Sequence, residues 1–294
     1  MKSKSIFIVE GKEVTLTNTE KIYFPELGAS KAELIEYYIR MADYILPYLK
    51  GRPFSMLHYP DGIYGKTFYQ KQRPADAPKW LQSVSLASKD KTINWCLVND
   101  LPSLIYMANR ACIEMHAWFS RLPDEGQPDV AIFDLDPSGS TGYKEAAEAA
   151  LLVKTALDAY GLTGIPKLSG KTGVHVVVPI EPVPFYKVRD FLKKICQHIE
   201  NAQPALFTTE RTIAKRKDRV YLDAVQNGRG KTLPSPYSVR AVPGANVSAP
   251  VTWKELANGI SPQSLVMRSM EARIKTVGDL FAPVYTISQK LLKI

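Results

Sequence analysis

The sequence predicts a mixed α/β (α+β) fold, on three observations. From Val130 onward, short apolar runs of strand length alternate with amphipathic stretches of helix length, the pattern of an α/β or α+β domain. The first of those runs, Val130-Ala131-Ile132-Phe133, closes on Asp134 and Asp136, as a buried strand does when it ends at a polar sheet edge. The chain has 294 residues and 45% hydrophobic content, enough for one large domain or two modest ones.

The elements follow in order. Met1-Lys2-Ser3-Lys4 leads into a strand pair around Ile6–Val9 and Glu13–Leu16 rather than an apolar leader. Ser30 with Glu33 three residues on reads as a capping box, opening one helix whose apolar stripe uses Leu34, Ile35, Tyr38, Met41, Ile45 and Leu49, with Pro47 near its end. Ser55–Tyr59 and Lys66–Lys71 read as strands flanking the turn Pro60-Asp61-Gly62. A second helix is expected from Leu101 to Trp118, capped by Asp100, and Pro123–Pro128 is a polar connector. Then come the Val130–Leu135 strand, a helix over Tyr143–Tyr160 stopped by Gly161, the Val174–Ile180 strand, a helix over Tyr186–Ile199 and the Arg219–Val225 strand. The tail after Trp253 reads as helical and mixed.

Composition narrows the function. No apolar stretch reaches membrane-spanning length, so no membrane role is expected. Cys96, Cys112 and Cys196 lack paired spacing, which argues against a disulfide framework or a zinc site and for a reducing, cytoplasmic (nucleoid-associated) setting. A net charge of +9 suits a polyanionic partner such as nucleic acid. Arg211, Lys215, Arg216, Lys217 and Arg219 cluster just before the Asp223 strand, as a solvated face or as phosphate contacts.

Asp134 and Asp136, two apart on a strand, share a face. With Asp223 from a neighbouring strand they would form a cage of hard oxygen ligands for one or two Mg²⁺ or Mn²⁺ ions about 4 Å apart. Read blandly, Asp136-Pro137-Ser138-Gly139 is a turn after a buried strand. The turn Ser169-Gly170-Lys171-Thr172-Gly173 offers amides, hydroxyls and an ammonium to a phosphate, or is an ordinary glycine turn. It is not a P-loop: Ile165 stands where the first glycine belongs, and the turn precedes a strand rather than a helix. His175, on the parity opposite Val174, Val176 and Val178, and His116, near the end of the predicted second helix, are core histidines or site residues. Gln226 to Thr232 follows the Asp223 strand with amides, Arg229 and Lys231, either to hold a base or triphosphate or as a solvated hairpin loop. Phe68-Tyr69-Gln70-Lys71 mixes aromatics with a basic residue, as single-strand stacking platforms do, although strand aromatics are usually core.

Together these segments resemble the polymerase domain of bacterial ligase D, within the archaeo-eukaryotic primase superfamily. The resemblance runs from about Thr17 to Trp253 and rests on Asn18-x-x-Lys21 with Lys31, Gly51-Arg52-Pro53, Pro60-Asp61-Gly62, Phe68-Tyr69-Gln70-Lys71, Phe133-Asp134-Leu135-Asp136-Pro137 and Pro236-Tyr237-Ser238-Val239-Arg240. It implies a primase-like catalytic domain, with an antiparallel-rich sheet bearing the three aspartates, packed against an N-terminal α/β subdomain. Residues 1–125 would be the DNA-end-binding part of a single 1–294 domain and 126–294 the catalytic part. The implied activity is template-directed nucleotidyl transfer at DNA breaks in non-homologous end joining: gap filling and end extension with NTPs or dNTPs, favouring ribonucleotides, with two Mn²⁺ or Mg²⁺ ions on Asp134, Asp136 and Asp223.

By the same resemblance His116, Ser169, Gly170, Lys171, Thr172, His175, Gln226, Lys231 and Arg240 would contact the nucleotide. Asn18, Lys21 and Lys31 would grip the downstream 5′-phosphate of a gap, with His58, Phe68, Tyr69, Lys71 and Arg216 along the DNA. Relatives read Ser-Gly-x-Lys-Gly before the histidine strand; here Lys171 comes one position early and Thr172 takes the lysine's place. No Lys-x-Asp-Gly adenylation motif is present, so a separate ligase and a Ku-like protein are the expected partners, of a standalone polymerase or of a domain from a longer protein. Two rivals remain: a DNA-end-binding scaffold that recruits a ligase, with dispensable aspartates, and a haloacid-dehalogenase-type phosphatase with Asp134 as nucleophile.

Overall fold

The apolar run at Val130 is a strand, Val130–Asp136, third in a five-stranded sheet. A strand covered on both faces shows no polar alternation, which is why its sequence reads as a continuous apolar run. The computed structural model describes residues 4–88 and 91–291; Met1, Lys2 and Ser3 of the predicted leading segment lie outside them.

The chain divides into two units. One comprises Met1–Trp118, Thr232–Val247 and Leu265–Thr276; the other comprises Phe119–Lys231, Ser248–Ser264 and Val277–Ile294. Each unit is therefore assembled from segments far apart in sequence.

In the second unit the sheet order is Ile165–Leu168, Val174–Pro179, Val130–Asp136, Val220–Asp223 and Phe207–Thr208. Every pairing is antiparallel except the last, which is parallel. The outer strand Ile165–Leu168 does not end the hydrogen bonding: Leu168 N–H donates to Ala249 (2.9 Å) and Val251 N–H to Pro166 (3.1 Å), which protects that edge. Helices Tyr143–Ala159 and Phe185–Ala202 contact the sheet and each other. A Cβ at Gly164 would meet Leu157 Cδ1 at 2.7 Å and Val176 Cγ1 at 2.9 Å. The first helix thus packs on the side of Val176 and Val178, opposite to His175.

In the first unit an antiparallel sheet runs Thr232–Pro234, Cys112–Trp118, Pro53–His58, Lys91–Leu97 and Ser83–Ser88, with Phe68–Gln70 also on Pro53–His58. The Lys4–Val9 and Lys12–Thr17 hairpin matches the predicted strand pair. Buried tyrosine hydroxyls tie the returning segment to the Lys31–Arg40 helix: Tyr37 donates to Tyr237 O (2.7 Å), and Tyr38 takes the Val239 N–H (3.1 Å) while donating to Ile113 O (2.6 Å). Arg52 of the Gly51-Arg52-Pro53 motif is an internal brace. It is 1% exposed, lies 4.6 Å from the Tyr48 ring centroid and donates to Tyr48 O (2.7 Å) and Trp118 O (3.4 Å).

Three element predictions need correction. The helix expected over 101–118 ends at Asn109; Ala111 turns the chain with φ +67°, and Cys112–Trp118 is a strand. Its neighbours on both sides leave Cys112, Ile113, Met115, Ala117 and Trp118 all buried, so the run has no period to set it apart from a buried helix. His116 therefore sits on a strand. The helix opened by Ser30 divides into Lys31–Arg40 and Ala42–Leu49 at Met41, and the break keeps Tyr38, Met41, Ile45 and Leu49 all inside. Ser30 Oγ accepts the Glu33 N–H (3.4 Å), but the Glu33 carboxylate turns to Arg268 (2.6 Å) instead of completing the box. The strand expected over 66–71 shortens to Phe68–Gln70.

The close approach at Gly164 is testable. Gly164→Ala should destabilise the protein by about 1–3 kcal/mol through overpacking against Leu157 and Val176. Urea unfolding should show a lower midpoint with an unchanged slope, and an unaltered midpoint would contradict the packing described here.

Candidate active site

In the second unit, register assembles the site. Asp134 pairs directly with Asp223 on one side and with His175 on the other, and His175 in turn pairs with Lys167. Residues directly opposite on antiparallel strands present side chains to the same face with Cβ atoms about 5 Å apart. Lys167, His175, Asp134 and Asp223 therefore form one row across four strands, and Asp136 joins Asp134 two residues along. The row is graded in exposure: Lys167 is 2%, His175 3% and Asp134 5% exposed, Asp223 is half-buried and Asp136 exposed.

Close polar contacts link the buried end. Lys167 Nζ stands 2.7 Å from His175 Nδ1 and 2.5 Å from Ser248 Oγ, and His175 Nε2 lies 3.3 Å from Asp134 Oδ1. Asp223 Oδ1 accepts the Gln226 N–H (3.0 Å), which turns the chain out of the sheet and places Gln226 beside the aspartates. Asn227 is 0% exposed and its amide clamps Ile132, accepting from its N–H (2.9 Å) and donating to its carbonyl (2.7 Å). That amide is engaged in structure, so the reading that it addresses a base is corrected.

The glycine turn is shaped by Ser169. Its Oγ accepts the amides of Lys171 (3.2 Å) and Gly173 (3.1 Å), so two of the N–H groups expected to cradle a phosphate are engaged within the turn. Gly170 has φ +79°, and a Cβ at Gly173 would stand 2.8 Å from Leu135 O and 3.2 Å from Asp136 Oδ1. The turn can lie against the aspartate strand only because position 173 has no side chain. Lys171 and Thr172 are exposed at its tip, and Lys231 is exposed after the Asp223 strand. Arg216 is held back: its guanidinium carbon lies 3.7 Å from the Tyr221 ring centroid, and it donates to Glu210 O (3.2 Å) and Arg211 O (3.1 Å).

Among the described residues no three His, Cys, Asp or Glu side chains already surround a metal-sized point. The donor chemistry nevertheless fits a hard divalent cation: three carboxylates on one face of adjacent strands, two of them with solvent access.

The first unit holds two further clusters. Asn18, Lys21, Lys31, His58, Phe68 and Arg110 line a pocket of about 280 Å³. Asn18 adopts φ +51°, a conformation asparagine tolerates, and its carbonyl accepts the Lys21 N–H (3.2 Å). Lys31 is 3% exposed and donates to Thr17 O (2.5 Å); burial, with Lys21 and Arg110 nearby, pulls it down to about 8. Lys21 donates to Pro60 O (2.6 Å) and pairs with Asp61. His58 stacks on the exposed Phe68 ring (centroids 4.5 Å, 21°), and burial lowers its pKa. Tyr69 is also exposed, with its hydroxyl 3.0 Å from Thr232 Oγ1, and Lys71 stands 5.6 Å from the Trp95 ring centroid.

The second cluster centres on Glu114, 2% exposed. It faces His116 Nε2 (2.9 Å), Arg240 Nε (3.2 Å) and the Ala241 N–H (3.1 Å). Burial pushes its carboxyl up, but His116, Arg240 and the amide outweigh burial and hold it well below the usual carboxylate range. His116 and Arg240 are thus brought together by a residue that the sequence reading passed over. Glu114-x-His116 has the same two-residue spacing as Asp134-x-Asp136, a signal visible once the segment is read as a strand. Lys167 was missed as well; its signal was a lysine in an apolar run at the parity of Ser169.

Comparison with known proteins identifies the family. Residues 30–281 match the family profile described as LigD, primase-polymerase domain. The chain is 34% identical over 275 residues to the bifunctional non-homologous end joining protein LigD of Bacillus subtilis, covering 93% of this chain and 44% of that protein. It is 33% identical over 278 residues to the multifunctional LigD of Mycolicibacterium smegmatis, covering 93% of this chain and 36% of that one. The chain thus spans less than half the length of these relatives. The solved polymerase domain of Mycobacterium tuberculosis ligase D, in complex with DNA, superposes with a TM-score of 0.87 at 32% identity, over 93% of this chain and 98% of that one. The phosphatase alternative falls with that match. The chain belongs to the LigD primase-polymerase domain family and is a nucleotidyltransferase of primase-like, antiparallel-rich α/β fold.

Proposed function

We propose that the chain performs template-directed nucleotidyl transfer at DNA double-strand breaks in non-homologous end joining, filling gaps and extending ends, with a preference for ribonucleotides. The observation that carries this reading is the register that sets Asp134 opposite Asp223, with Asp136 on the same face. Asp134, Asp136 and Asp223 would hold two Mn²⁺ or Mg²⁺ ions, which supply charge neutralisation at the triphosphate and a more acidic primer 3′-hydroxyl. Ser169, Gly170, Lys171, Thr172, His175, Gln226 and Lys231 of the second unit are assigned to the incoming nucleotide. His116 and Arg240 of the first unit take the same assignment, with Glu114 holding both in place. A Ku-like protein and a DNA ligase are the proposed partners in end joining.

The basic pocket is assigned to the downstream 5′-phosphate. Asn18, Lys21 and Lys31 line it, and a phosphate entering there would compete with Asp61 for Lys21. The exposed Phe68 ring on His58, with Tyr69 and Lys71 on the same segment, suits stacking against a base or backbone at the break. Arg216 is assigned to the DNA backbone, which requires it to release the Glu210 and Arg211 carbonyls.

The first test is primer extension on a gapped duplex with ribo- and deoxynucleotides, in Mn²⁺ or Mg²⁺. Asp134→Ala and Asp223→Ala should each abolish extension while leaving circular dichroism unchanged. Wild-type levels of extension in both variants would remove the metal mechanism. Tight binding of gapped DNA by the wild-type protein without extension in any condition would favour an end-binding scaffold.

Lys21→Ala with Lys31→Ala should reduce the preference for a gap bearing a 5′-phosphate, measured by anisotropy on phosphorylated and unphosphorylated gaps. An equal loss on both would sink the pocket's role. The preference should also fade as pH rises through about 8, because Lys31 is charged below that value and neutral above it. The stability of the free protein moves the other way: between about 8 and 10.5 the unfolded chain holds the proton that folded Lys31 has lost, so stability rises with pH across that window. A 5′-phosphate preference that stays flat with pH would show that Lys31 does not carry it.

A further inference from the structure

Lys167 is the least expected residue of the row. An ammonium at 2% exposure within Ile165-Pro166-Lys167-Leu168 carries a desolvation cost of several kcal/mol unless its partners offset it. Those partners fix the direction of each hydrogen bond. Ser248 Oγ donates its single proton to Leu168 O (3.0 Å), so toward Lys167 the same oxygen acts as acceptor. The ammonium has only donors, so at 2.7 Å His175 Nδ1 must accept from it. With Nδ1 accepting, the ring carries its proton on Nε2, and Nε2 faces Asp134 Oδ1 at 3.3 Å. The donors therefore point one way, from Lys167 to His175, and the remaining ring N–H lies on the Asp134 side.

We propose that Lys167 is a positioning residue of the aspartate site: it locks the His175 ring with Nε2–H aimed at Asp134 Oδ1, so that this carboxylate is oriented from its buried side. The proposal rests on the reading that Asp134 belongs to the nucleotidyl-transfer site. Lys167 acts only through His175, and Ser248 holds the ammonium in line. One oxygen of Asp134 is thereby approached from the interior, on a residue whose register sets it opposite Asp223. Hydrogen bonds that orient a ligating group in this way commonly govern metal affinity about 10-fold or more.

The experiment is long-range proton–nitrogen NMR of the histidine rings in the full, metal-free chain. The chain has four histidines, so His175→Gln identifies the resonances. Wild-type His175 should be the Nε2–H tautomer, and a predominant Nδ1–H form would overturn the proposal without any Lys167 variant. Lys167→Met, of similar length and without the donor, should turn that single form into a mixture and lower Mn²⁺ affinity about 10-fold by titration. Lys167→Arg, which keeps a donor, should restore most of both. An unchanged ring spectrum with unchanged Mn²⁺ affinity in folded Lys167→Met would refute the role. Failure of the parent reading looks different: Mn²⁺ affinity would survive Asp134→Ala and Asp223→Ala, whatever the His175 tautomer.

Discussion

Everything chemical in the second unit depends on the antiparallel register of the Val130–Asp136 strand with its two neighbours. That register sets Asp134 opposite His175 on one side and Asp223 on the other. Because strand side chains alternate, a slip of one residue in either pairing would send His175 or Asp223 to the helix-covered face and dissolve the row. Local contacts hold the strand on both flanks. Asn227 clamps both backbone groups of Ile132, and the side-chain-free Gly173 lets the Ser169–Gly173 turn press against Leu135 O. Both clamps come from loops adjoining the site, so the segments expected to meet a nucleotide are also those that keep the aspartates in line.

The first unit answers a different constraint, the cost of burying charge. Arg52, Glu114 and Lys31 are all nearly inaccessible, and each is resolved differently. Arg52 spends its donors on carbonyls and lies on the Tyr48 ring, which makes it a brace. Glu114 is matched by His116 and Arg240 and stays ionised. Lys31 has a carbonyl and a hydroxyl as partners but no carboxylate within ion-pair distance among the described contacts, and its pKa falls. Of the three it is the one whose charge an incoming phosphate dianion would stabilise most, since burial outweighs the pull of Glu20 and leaves its pKa lowered.

What the sequence made legible follows from how far each signal reaches along the chain. Asp134-x-Asp136 after an apolar run needs only local alternation, and the strand carries both residues on one face as expected. That Asp223 lies directly across from Asp134 is a fact about pairing, and no local pattern encodes it; the family resemblance implies only that the three aspartates share metal ions. The Cys112–Trp118 segment failed for the opposite reason: covered on both faces, it lost the alternation that marks a strand and borrowed the preceding helix's assignment. With that error went Glu114, whose partnership with His116 is obvious only at strand spacing. Asn227 was read as a loop amide because its partner, Ile132, is almost a hundred residues away.

The gradient of exposure along the aspartate row separates orientation from exchange. Lys167, His175 and Asp134 are nearly sealed, so their contacts with one another set angles and proton directions. Asp136 is exposed and Asp223 half-buried, so these carboxylates can trade water for cations without unfolding anything. Asp134 stands between the two regimes, with His175 Nε2 3.3 Å from one of its oxygens and Asp223 directly across the sheet. Sealing one end of the row limits what has to reorganise when ligands arrive to the two carboxylates nearest solvent. Such preorganisation is what an enzyme needs where charge develops in the transition state, because a dipole already in place costs nothing to align.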